Sequence, residues 1–180
     1  MERSAKQAAA QETRLKRLAQ KIGALAEKDE SILKRTREVG MLREKAAAHL
    51  HALCVSFVAA VNELLPGREL IIDPAEFTES WFNEDASNLI QLNVRGRILQ
   101  IEFHTTPELV STEEFRMPYT LEGTVRAFNQ ELLDKDLIEE QLLFFTFEKE
   151  GGMWRFFDAR TYRSGPFDRE YLVTLMEQLI

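Results

Sequence analysis

One cysteine, three histidines and five prolines in 180 residues are few, and each scarcity closes a class of chemistry. The lone thiol, Cys54, excludes an internal disulfide, and no Cys/His group has the spacing of a zinc site. Its neighbours Leu53, Val55, Phe57 and Val58 are apolar, so Cys54 reads as a buried, inert thiol rather than a nucleophile. Neither of the glycine loops that cradle phosphates is present, and no Gly-x-Ser-x-Gly elbow occurs. No metal and no cofactor are therefore expected, and the chain leans away from catalysis. The N-terminal stretch MERSAKQAAAQETRLKRL lacks the apolar centre of a leader. Nor does any uninterrupted apolar run reach the ~20 residues that span a bilayer. The expectation is a cytoplasmic protein without a membrane segment.

Charge of one sign is also scarce, but locally. Residues 1–50 hold 12 Lys/Arg and 7 Asp/Glu, a net +5, whereas residues 51–180 hold 11 and 23, a net −12. An acidic surface gains nothing from displacing the counterions of a polyanion, so nucleic acid is not expected on the larger part. Only the first fifty residues, with Arg14, Lys16, Arg17 and Lys21 and then Lys34, Arg35 and Arg37, could attract one.

No proline precedes Pro66, and Ala, Leu, Lys, Glu and Arg dominate that stretch, which favours helix throughout. Pro66-Gly67 ends it. Leu18, Leu25, Ile32, Val39, Ala46, Leu53 and Ala60 recur every seven residues, one seam of a coiled coil. The companion row, Leu15, Ile22, Asp29, Thr36, Arg43, Leu50, Phe57 and Leu64, turns polar at its centre. A single long helix is favoured over a helical hairpin broken near Lys28-Asp29-Glu30-Ser31. Self-association is expected through Leu18, Leu25, Ile32 and Val39, making the chain a homo-oligomer. Residues 1–45 then form a helical extension and 46–180 an α+β domain on which residues 46–65 pack. His49 and His51 point about 200° apart on a helix and cannot share a metal.

The remainder alternates with the period of strands. In NLIQLNVRGRILQIEFH (88–104), a two-residue Gly96-Arg97 turn would pair Val94 with Leu99, Leu92 with Ile101 and Ile90 with Phe103. One face is then apolar, and the other carries Gln91, Asn93, Gln100, Glu102 and His104. Among these, Glu102 beside His104 is the best candidate for acid–base or ligand chemistry, although any solvated sheet face looks the same. In FFTFEKEGGMWRFF (144–157) a turn at Glu150-Gly151 or at Gly151-Gly152 leaves Phe145, Phe147, Trp154 and Phe156 on one side. Phe144 and Phe157 fall on the other side, where an element outside the sheet, a helix of the same chain by preference, should cover them. Asp158 and Arg160 read as a structural salt bridge.

YTLEGTVRAF (119–128) suits a strand, although Gly123 weakens it, and Asn129 can cap a helix in QELLDKDLIEEQ. Residues 106–118 read as a long connection, with Ser111 and Glu114 as a capping box. Asp168 is a good N-cap for a last helix with Leu172, Leu175, Met176 and Leu179 on one stripe. The fold class is α+β: a long N-terminal coiled-coil-like helix, an antiparallel sheet packed on one face by helices, and a C-terminal helix. This order resembles that of coiled-coil proteins whose stalk ends in a small RWD-like sheet domain, a likeness of layout with no motif behind it. Three functions fit: an oligomeric adaptor with a protein partner, a binder of anionic surfaces through the basic helix, or a small-ligand binder or enzyme on the polar sheet face.

Overall fold

The structure is a computed structural model and describes residues 2–78, 80–110, 117–135, 138–148 and 151–180. Helix α1 spans Glu2–Glu63 without the break that a helical hairpin would need. Seven strands follow: β1 (Leu70–Asp73), β2 (Asn88–Val94), β3 (Arg97–Val110), β4 (Tyr119–Phe128), β5 (Glu139–Glu148), β6 (Gly151–Asp158) and β7 (Arg163–Pro166). The short helix α2 (Gln130–Asp134) lies between β4 and β5, and α3 (Arg169–Leu179) closes the chain. All neighbouring strands are antiparallel and lie in the order β1 to β7. The chain divides into two units, Met1–Met41 and Leu42–Ile180.

In the second unit, one face of the sheet is the core. Ile90, Leu92, Leu99, Ile101, Phe103, Leu121, Val125, Leu143, Phe145 and Trp154 point into it. They meet Ala46, Leu50, Cys54, Phe57 and Val58 of α1, and Leu172, Leu175, Met176 and Leu179 of α3. Polar contacts of Arg43, Ala46, His51 and Asn62 anchor the helix. The Trp154 indole N–H donates to the Ala46 carbonyl at 2.8 Å, and Arg43 Nε donates to Thr120 Oγ1 at 2.8 Å. The foreseen caps are in place: Asn129 Oδ1 accepts from the Leu132 N–H at 2.8 Å, and Asp168 Oδ1 from that of Tyr171 at 3.0 Å. Helix α2 is shorter than its sequence suggests, because β5 already begins at Glu139. Leu137 lies outside the described residues.

Both hairpins differ in register from the sequence reading. The first turn is Arg95-Gly96, with φ of 51° and 84°, the positive pair a type I′ turn requires. The Asn93 amide oxygen accepts the Gly96 N–H at 2.9 Å, and Glu69 holds the Arg95 side chain at 3.0 Å. Leu92 therefore faces Leu99, Ile90 faces Ile101, and Asn88 faces Phe103. In the aromatic hairpin Phe145 faces Trp154 and Phe147 faces Gly152, neither of the two expected registers. Gly152 explains the choice: a Cβ there would come within 2.2 Å of the Phe145 ring, so the ring occupies the space a side chain would need. The shift is by two residues in the first hairpin and by two or four in the second, an even number each time, so the faces survive it.

Gly123 strengthens its strand rather than weakening it. An added Cβ would lie 2.0 Å from the Glu102 carbonyl oxygen and 2.7 Å from Phe103 Cα, so β3 and β4 close up only because it is absent. Residues 106–110 are not a connection, since β3 continues through Pro107 to Val110 with an irregular register after Thr105. Pro107 cannot donate to a ladder, and it sits where the ladder is interrupted. The proposed Ser111–Glu114 capping box lies outside the described residues. Phe144 and Phe157 are buried as expected, and among the described residues no helix covers them. They cluster with Tyr119, Met117 and Leu142, the Tyr119 and Phe144 ring centroids 4.6 Å apart, and Tyr162 of the β6–β7 turn sits 6.3 Å from Phe157. Among the described residues the cover comes from Tyr119, Met117, Leu142 and Tyr162.

Candidate functional site

The five predicted polar residues share the face opposite the core, and each is engaged with a different neighbour. Gln91 faces Gln100, and their amides hydrogen-bond at 3.0 Å. Asn93 is spent on the hairpin turn, while Glu102 accepts from Ser87 Oγ at 2.6 Å. His104 is exposed and pairs not with Glu102 but with Glu122 across the strand, Nε2 to Oε1 at 3.2 Å. Glu122 also hydrogen-bonds the Tyr119 phenol, whose pKa is pushed up to about 12 by desolvation and by that carboxylate. Tyr119 thus stays protonated at neutral pH and serves as a donor. His104, Glu122 and Tyr119 form one short hydrogen-bonded chain at the sheet surface. Glu122 and Tyr119 are absent from the sequence reading because the link depends on the β3–β4 register.

The remaining candidates are structural. Asp158 does not form the expected ion pair with Arg160. Its carboxylate accepts from Thr161 Oγ1 at 2.7 Å and from the backbone N–H of Arg160 and Thr161, capping the β6–β7 turn. The Thr161 hydroxyl, foremost, holds its pKa below the ordinary value. Arg160 reaches Glu139 at 3.9 Å instead. Burial pushes the Cys54 thiol up to about 12, which removes thiolate reactivity at neutral pH. His49 is exposed and His51 buried, its Nε2 bonded to the Pro74 carbonyl at 2.8 Å, beside Phe77 and Trp81. Among the described residues no group of three or more His, Cys, Asp or Glu could hold a metal ion.

Two surfaces stand out against this background. In the first unit, Leu15, Leu18, Ile22 and Leu25 are 54–60 % exposed. Of the predicted seam, Leu18 and Leu25 are open, Val39 is half-buried, and the Ile32 side chain lies outside the described residues. In the second unit, a groove of about 520 Å³ runs between the end of α1, α3 and the β1–β2 hairpin. Phe57, Val61, Leu70, Val94, Val173 and Met176 line it, and Glu69, Arg95 and Glu177 stand at its margin. Arg95 lowers the Glu69 pKa through their hydrogen bond. Nothing in the sequence reading brought these residues together.

By length and composition alone α1 could also cross a membrane, yet its residues Leu50, Cys54 and Phe57 are packed on the sheet. No protein-family model, no curated protein and no solved structure matches this chain.

Proposed function

We propose that this chain is a non-enzymatic oligomeric adaptor that self-associates through its N-terminal helix and offers its acidic α+β domain to a protein partner. One observation carries the reading: four large aliphatic side chains, Leu15, Leu18, Ile22 and Leu25, stand exposed on one stripe of a helix. Left in water, each would forgo ~1.5–3 kcal/mol of burial, a strong drive toward association. The polar sheet face supports an enzyme less well, because its candidate residues are paired one by one and do not converge on a reacting atom.

Light scattering on the full chain at tens of micromolar tests the reading. A mass above 20.8 kDa is expected, falling to the monomer in Leu18→Glu/Leu25→Glu. A monomeric parent chain would end it. The basic cluster Arg14, Lys16, Arg17 and Lys21 favours a second reading, binding to an anionic polymer. That reading requires a salt-dependent mobility shift with DNA or RNA.

A further inference from the structure

The exposed stripe is short in one respect. Leu18 and Leu25 form one row and Leu15 and Ile22 the other, but the second row becomes Asp29 and Thr36 on the next two turns of the repeat. A coiled coil between two copies needs both rows over about three or four heptads, and only four side chains meet that demand here. The same stretch carries Arg14, Lys16, Arg17 and Lys21, of which Lys16 is paired with Glu12 at 2.9 Å. Spacing of 3, 4 and 3 residues is also that of anchors on an amphipathic helix lying in a groove.

The groove on the second unit has the matching chemistry. Its lining is aliphatic and aromatic, its size is that of pockets which hold a ligand, and its margin holds Glu69 and Glu177. Among the described residues that line it, Arg95 is the one cation and is tied to Glu69, which leaves Glu177 to face a basic partner. The surrounding residues 51–180 carry a net −12 against the +5 of residues 1–50. Val173 and Ile180 at the lip are 41 % and 76 % exposed, so the apolar surface continues out of the groove.

We propose that the groove of one copy receives residues 15–25 of a second copy, with Leu15, Leu18, Ile22 and Leu25 as anchors and Arg14, Arg17 and Lys21 against the acidic margin. This rests on the self-association reading and names the surface that meets the stripe. The contact is head to tail, so it closes a ring or continues into longer assemblies.

A complementation experiment tests it. Leu18→Glu/Leu25→Glu spoils the stripe and spares the groove, whereas Val173→Glu/Ile180→Glu spoils the groove and spares the stripe. Each is checked for an intact melting transition, and Ile180→Glu alone replaces the second variant if its transition is lost. In light scattering at low salt, each variant alone should be monomeric, and an equimolar mixture should return a 1:1 pair. That pair should weaken at least tenfold in half-molar salt. A groove variant that assembles like the parent, or a mixture that stays monomeric, overturns the groove while leaving self-association in place. A monomeric parent chain overturns both.

Discussion

Residues 12–33 and 46–61 belong to the same helix, but the first stretch interleaves its aliphatic residues with charge and the second has no Lys, Arg, Asp or Glu at all. In the first stretch Leu15, Leu18, Ile22, Leu25 and Leu33 are exposed; in the second Ala46, Ala47, Leu50, Cys54, Phe57 and Val58 are buried. The seven-residue rows run through both. What differs is the content of each turn: Phe57 and the small Ala46 and Ala47 fit a sheet surface, whereas Arg and Lys flank the first stripe closely. Periodicity therefore tells which face of a helix is adhesive, and the residues beside that face tell what kind of surface it suits.

The comparison breaks most visibly under truncation. Phe57→Ala should lower the unfolding free energy by about 3–5 kcal/mol, the range for a buried aromatic side chain, while Leu25→Ala should change it by under about 0.5 kcal/mol. Urea denaturation of both variants at a concentration where the chain is monomeric decides the matter; equal losses would mean that the first stretch is packed too.

A smaller contrast is chemical. The folded state holds Cys54 protonated to about pH 12 against an ordinary 9.0, so the unfolded chain releases this proton first as pH rises. Stability is then fully present below about pH 9 and falls from there toward pH 12. By pH 10.5 the loss is about 2 kcal/mol. Cys54→Ala should flatten the decline between pH 8 and 10.5 by about that amount, and an unchanged slope would show the thiol to be hydrated.

Removing one anchor comes next. Trp154→Phe keeps a ring in the core and deletes the bond to the Ala46 carbonyl, costing about 1 kcal/mol by thermal or urea melts. The least effect is a gain: Gly23 has nothing within 4 Å of where a Cβ would stand, and Gly23→Ala should raise helix content at a cost to no contact. Its benefit is about 0.5–1 kcal/mol of helix stability, read by circular dichroism while heating.

Faces were legible in the sequence and pairings were not, for one physical reason. Apolar alternation has a period of two, so a register displaced by an even number of residues leaves every side chain on its own side, as both hairpins do. Deciding between such registers needed the positive φ of Arg95 and the space beneath the Phe145 ring. Strand β1 escaped notice because four residues, Leu70–Asp73, are too few to display alternation, while Ser164-Gly165-Pro166 of β7 reads as a turn by composition and is instead the paired edge strand. The stripe of α3 and both N-caps were readable because they depend on local geometry alone. The His104 partnership and the groove were not, since each joins elements distant in the chain.

The sheet order, β1 to β7 without a crossover, bears on how the chain reaches this structure. Every strand finds its partner in the next strand along, so pairing can proceed hairpin by hairpin with little loop entropy lost at each step. The exception is the first helix, whose Ala46 waits for Trp154 across 108 residues. That one contact therefore costs more loop entropy than any neighbouring-strand pairing, whereas Asn62 of the same helix reaches Leu70 only 8 residues away.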